Sequence, residues 1–332
     1  GTLMAATVVF MLADSVLWLF VARAAQGLAT GLALGAASAA LLDLHPRRDP
    51  TGVGLTNGVV SSAGMGSGVL VSAVFVEWAP APRVLPYVAL FLLFATAFVG
   101  ALRMPEPVPL RSRFRFSPQR PSVPPAVRPA FVLAALGVMS SWSIGGLFLA
   151  LGPQLAAGLF HTTDHLLAGV SVFALAGPAA VAQVAFRRSR PWVGATGGSV
   201  ALAAGMVAIV VAASADSRFL YIAGTVVGGV GFGVAFLGAL RALSSAIPPD
   251  QRGAVMSAFY LVAYASLSLP AILAGVLVTP IGVRSTFEIF GTLIATLALA
   301  VAVQAWRTRP QEEPAPACTA PHRADRPSSA SS

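Results

Sequence analysis

The sequence predicts an all-α polytopic membrane protein, with about ten spanning helices in two related bundles, and three observations lead to that class. Apolar runs at 16–42, 53–76, 84–102, 130–157, 166–186, 193–213, 219–246, 253–279 and 285–306 follow one another across short gaps. Each approaches or exceeds the ~20 residues that a helix needs to cross a bilayer. Numbering the gaps alternately puts 17 arginines on one side and 3, Arg83, Arg218 and Arg284, on the other, which sets the richer side in the cytoplasm. Sliding the chain by 202 residues lays the helix from Val16 on that at 219–246, matching Gly27 with Gly229, Gly31 with Gly233 and Pro46 with Pro248.

Composition narrows the choice further. Of 332 residues, 56% are hydrophobic and 10% charged, against about 25% charged in soluble domains. The net charge of +9 comes from arginine alone. Because those arginines sit between apolar runs, topology explains them better than nucleic acid does, and the RSRFRF stretch at 111–116 reads as a strip facing headgroups. The lone Cys318 allows no internal disulfide. No Walker motif, zinc pair or nucleophile elbow appears, so no cofactor, metal or enzymatic activity is expected.

Taken in order, the chain opens on an apolar run of only about eleven residues, 2–12, short for a span. It reads as a chain that begins partway through a helix. Residues 1–102 are then the remainder of a first bundle, and 103–129, rich in proline and arginine, a cytoplasmic linker. Residues 130–306 form a second, six-helix bundle, and 307–332 a disordered cytoplasmic tail rich in Pro, Ser and Ala.

The most informative helix starts at Val16. Arg23 lies about two turns inside its apolar run, where a charge costs roughly 2.5–3.5 kcal/mol and is expected to face a protein interior. Gly27, Gly31 and Gly35 recur every fourth residue and share one face, where another backbone can come close. Arg23-Ala-Ala-Gln26-Gly27, with glycine again at 31, resembles the fourth-helix motif of the major facilitator superfamily of secondary transporters. That resemblance implies two parallel bundles joined by a cytoplasmic linker, with the helices present resembling numbers three (partial) to twelve of twelve. It also implies that Arg23 faces the cavity, where a guanidinium would lower a partner carboxylate's pKa or hold an anionic substrate. Gln26, one turn on, joins it there or bridges helices.

Further candidates follow along the chain. Gly64, Gly66 and Gly68 resemble the glycine-rich fifth-helix motif of antiporters, although its proline is absent, and also suit plain close packing. Trp142, among Ser140, Ser141 and Ser143 and beside Gly145-Gly146, is a cavity wall on the resemblance, or a packing residue. Tyr260 and Tyr264 stand one turn apart on the next-to-last helix, and their hydroxyls need partners away from lipid. Glu288, about a turn inside the last helix, is the carboxylate kept as a coupling candidate; Asp43 and Glu77 fall at helix ends. Arg252 and Gly253, in Pro-Asp-Gln-Arg-Gly, resemble a short cytoplasmic turn where an arginine latches a gate.

The resemblance implies a monomeric transporter in the cell membrane, its C-terminus cytoplasmic, working by alternating access on a small-molecule substrate. With few charges beyond Arg23, proton-coupled efflux of small hydrophobic compounds is the expected activity. Uptake of a small organic anion or sugar is the alternative within the class. A non-transporting membrane protein, or an inactive fragment of a transporter, is the alternative outside it.

Overall fold

The computed structural model describes residues 1–44, 50–82, 84–104, 122–162, 164–248 and 251–309, and nearly all of them are helical. Pro46, most of the expected linker including 111–116, Pro249, Asp250, and the tail beyond Arg309 with Cys318 lie outside the described residues. The helices are α1 (Thr2–Met11), α2 (Val16–Leu44), α3 (Pro50–Trp78), α4 (Leu85–Leu102), α5 (Arg128–Phe160), α6 (His165–Ala185), α7 (Pro191–Ala215) and α8 (Arg218–Ala246). The last segment, Arg252–Arg307, is broken at Gly282 (φ +82°, ψ 165°) into α9 (252–281) and α10 (283–307). Only glycine adopts that backbone region freely. The gap of several residues that the sequence predicts before 285 is thus a single hinge.

Among the described residues, seven stretches are long and apolar enough to cross a membrane, with Arg252–Arg307 counted once. Dividing Arg252–Arg307 at Gly282 and adding α6 and α1, whose apolar stretches are shorter, gives ten helices among the described residues.

Helix ends are set locally. Asp164 Oδ1 accepts from the Leu166 amide at 2.7 Å to start α6, and Ser217 Oγ accepts from that of Leu220 at 3.4 Å to start α8. Pro191 opens α7, where its missing N–H costs no bond. The arginines between helices do more than mark sidedness. Arg218 Nε donates to the Leu159 carbonyl at 3.0 Å, and Arg284 Nη2 to that of Ser214 at 2.7 Å. Arg241 Nη1 donates to the carbonyls of Arg187 and Ser189 at 2.9 and 2.7 Å. Each places a cation on a neighbouring helix's C-terminal end or the turn beyond it, where free carbonyls collect.

Glycine decides how closely the helices approach. On α8, a Cβ at Gly231 or Gly238 would collide with the backbone of α7 at Leu202 or Ala195, and one at Gly198 or Gly205 of α7 would meet Ala235 or Gly228. The opposite row of α8 meets α6: Gly229 faces the Leu175 carbonyl and Gly233 that of Ala179. The equivalent row on α2 differs, since a Cβ at Gly27, Gly31 or Gly35 would have nothing within 4 Å. Of the fifth-helix candidates on α3, Gly66 packs, 3.1 Å from Ala176 to its Cβ position, whereas Gly64 and Gly68 are open.

Helix α3 supplies the main contact between α1–α4 and the rest, running antiparallel along α6 with Gly58 beside Gln183, Gly66 beside Ala176 and Ala73 beside Gly169.

Adding one methyl tests this packing. Gly205→Ala is expected to destabilise the protein by about 1–3 kcal/mol, because backbone must move, whereas Gly197→Ala, with nothing within 4 Å, should leave the melting temperature in detergent unchanged or slightly higher. Equal melting temperatures for the two variants would refute the close α7–α8 contact.

Candidate functional site

Five aromatic side chains from three helices meet around Trp142. Its indole lies 5.6 Å from the Phe236 ring of α8 and 5.3 Å, edge-on, from the Tyr264 ring of α9. Phe236 stacks on Phe259 at 6.3 Å, and Phe259 meets Tyr260 at 5.7 Å. The geometry has a local cause in Gly145-Gly146. A Cβ at Gly146 would collide with the Leu267 carbonyl, so α5 touches the α9 backbone there, and Ser143 Oγ donates to the Ser266 carbonyl at 3.2 Å. Trp142, the residue before Ser143, is thereby held against α8 and α9.

This cluster offers flat apolar walls and a few hydrogen-bonding groups, with no charge among its five residues. The indole Nε1 is buried with no hydrogen-bond partner among the described residues. The Tyr264 side chain is exposed. The neighbouring serines are already engaged: Ser140 and Ser141 both donate to the Gly137 carbonyl, at 2.9 and 3.0 Å. Phe236 and Phe259 belong to the hydrophobic core, with Trp142 and Tyr260 packed against it, so the exposed Tyr264 is the edge of the cluster on which a planar, uncharged ligand could stack.

The other candidates are placed elsewhere. Arg23 is exposed on α2, on the side of the open glycine row, and not in the protein interior that the sequence predicts. Its Nη1 donates to Gln26 Oε1 at 2.9 Å, and its guanidinium lies 4.8 Å over Phe10 of α1. Phe10 in turn stacks on Tyr87 of α4 at 5.6 Å, so a cation–aromatic ladder ties α2, α1 and α4. Glu288 accepts from Arg284 Nε at 3.2 Å, one turn apart on α10, and that pair holds α10 to the end of α7. Arg252 opens α9 with its Nε buried and without a hydrogen-bond partner among the described residues, while Gly253 is exposed.

One polar group escaped the sequence reading. Gln183 on α6 is 1% exposed and donates from Nε2 to Ser62 Oγ of α3 at 2.8 Å, across the principal contact between α1–α4 and the rest. Its Oε1 is buried without a hydrogen-bond partner among the described residues and occupies the space where a Gly58 Cβ would stand. A buried amide within an apolar run was the available signal. Asn57 Nδ2 extends the polar track to Ser38 Oγ of α2 at 2.8 Å. A double-mutant cycle checks the bond: Ser62→Ala should cost about 1 kcal/mol, and the Gln183→Leu/Ser62→Ala pair less than the two single changes summed. Strict additivity in detergent melting would show no coupling.

A sequence profile of the Major Facilitator Superfamily matches residues 1–216. No curated protein matches the chain in sequence. Among solved structures, the chain is similar to the crystal structure of the human organic anion transporter MFSD10 (TETRAN), with a TM-score of 0.61 over 91% of this chain and 74% of that one. Sequence identity between them is 19%, so the likeness concerns the fold. With more than half of its residues in the family profile and a matching all-helical architecture, this multi-pass membrane protein belongs to the Major Facilitator Superfamily.

Proposed function

We propose that the protein is a secondary transporter that exports small hydrophobic compounds in exchange for protons. The observation that carries this reading is the uncharged aromatic cluster of Trp142, Phe236 and Tyr264, built where α5, α8 and α9 meet. Stacking on such walls contributes roughly 0.5–1.5 kcal/mol per aromatic pair and tolerates varied ring systems, as an exporter of drug-like molecules requires. The bundles of residues 1–102 and 130–306 would rock about the α3–α6 contact, with the Arg252 turn as a gate on the cytoplasmic side. Glu288 of the second bundle and Arg23 with Gln26 of the first are the groups this reading assigns to coupling. The protein would act as a monomer in the cell membrane, with its C-terminus in the cytoplasm.

A second reading, uptake of a small organic anion, has one observation in its favour. Among the described residues, Arg23 is a cation within a spanning helix that meets the neutral Gln26 amide and the Phe10 ring. The human protein of similar fold is an organic anion transporter.

Reconstitution in vesicles with an imposed proton gradient separates these readings. Export predicts gradient-driven flux of a lipophilic aromatic dye, reduced about 2–10-fold at sub-saturating dye by Trp142→Ala and uncoupled from the gradient by Arg23→Ala. Gradient-independent flux, or a Trp142→Ala variant that transports normally, would overturn it. Saturable uptake of an aromatic carboxylate, lost in Arg23→Ala, would favour the second reading.

A further inference from the structure

The outer face of α6 carries a groove of about 560 Å³, lined among others by Phe173, Gly177, Pro178, Val181 and Phe186 of α6 and by Val230 of α8. Its direction follows from burial along the helix. Val172, Leu175, Ala176, Ala179 and Gln183 are buried against neighbouring helices, whereas Val181 is 70% exposed and Phe186 44% exposed. The groove therefore opens on the exposed side of α6, away from its buried face. Gly177 contributes no side chain, so the floor is the Phe173 ring, 3.4 Å from where a Gly177 Cβ would stand. The lining is wholly apolar.

At its arginine-rich end the groove stops at Phe186, and the chain continues Arg187-Arg188-Ser189-Arg190 with no acidic residue. This turn is fixed. Arg241 Nη1 donates to the carbonyls of Arg187 and Ser189, and Ser189 Oγ donates to that of Phe186 at 2.8 Å. Arg187 and Arg188 are exposed. Trp192, just beyond, is the residue type that settles at headgroup level.

An apolar slot that ends at guanidiniums in a fixed turn complements an acyl chain that ends in a phosphate. We infer that this is a binding site for an anionic glycerophospholipid of the leaflet on the arginine-rich side, with one chain along the groove and the headgroup at Arg187 and Arg188. A zwitterionic lipid offers the same chain, but its ammonium offsets the phosphate. A soluble phosphate offers the charge without the chain. Selectivity therefore needs both halves of the site.

Native mass spectrometry of the full protein, offered equimolar dioleoyl-phosphatidylglycerol and dioleoyl-phosphatidylcholine in detergent, tests this. The anionic lipid should be retained roughly tenfold over the zwitterionic one, and R187Q/R188Q should bring the two near parity. V181W, which fills the groove, should lower retention of both. Arg188→Gln alone gives a graded loss where the double variant folds poorly. R47Q/R48Q, which removes the same charge from another gap, should retain the preference. Parity in the unmodified protein, an equal loss in R47Q/R48Q, or effective competition by the chainless headgroup glycerophosphoglycerol would overturn the assignment.

Discussion

Within hydrocarbon, one helix gains nothing by exchanging a lipid neighbour for another apolar helix, so association has to come from close contact and from polar groups that lipid cannot satisfy. The α7–α8 pair rests on the first. Its four interlocking glycines, Gly198 and Gly205 against Gly231 and Gly238, bring two backbones to a separation that no larger residue permits. From that pair the rest is positioned: the other glycine row of α8 seats α6, α6 seats α3, and the glycines of α5 seat α9. The aromatic cluster exists because α5, α8 and α9 are brought together in this way.

Polar groups act at two depths. At the helix ends, Arg218, Arg241 and Arg284 donate to carbonyls that would otherwise lack partners, and so fasten adjacent helices. In the interior, Gln183 and Ser62 form a bond between α6 and α3. A transporter that alternates needs an interface strong enough to hold and sparse enough to shift, and a small-residue surface clamped by an amide has that character.

The contrast between α2 and α8 is instructive. Their sequences repeat the same glycine spacing, yet the α8 row is filled by α6 and the α2 row is open. Arg23 follows from this, because the guanidinium shares the open side of α2 and pairs with Gln26 and Phe10 in place of a buried partner. Spacing fixes which face a residue occupies; it carries no information about what stands opposite.

Several features were legible from residues alone. Helix number and approximate limits follow from the length of the apolar runs, since a bilayer allows few lengths. The superfamily resemblance was legible in Arg23-x-x-Gln26-Gly27 with glycine again at 31, and Trp142, Tyr260 and Tyr264 stand out in sequence as aromatics with polar atoms inside apolar runs. Contacts across the chain required the fold. Phe236 and Phe259 joined Trp142 only through packing, Ser140 and Ser141 proved to be bonded to their own helix, and Glu288 was taken by Arg284. The Gln183–Ser62 bond spans 121 residues. Hydropathy and periodicity describe each helix against a uniform solvent, whereas a partner's identity depends on where a second helix, far along the chain, comes to lie.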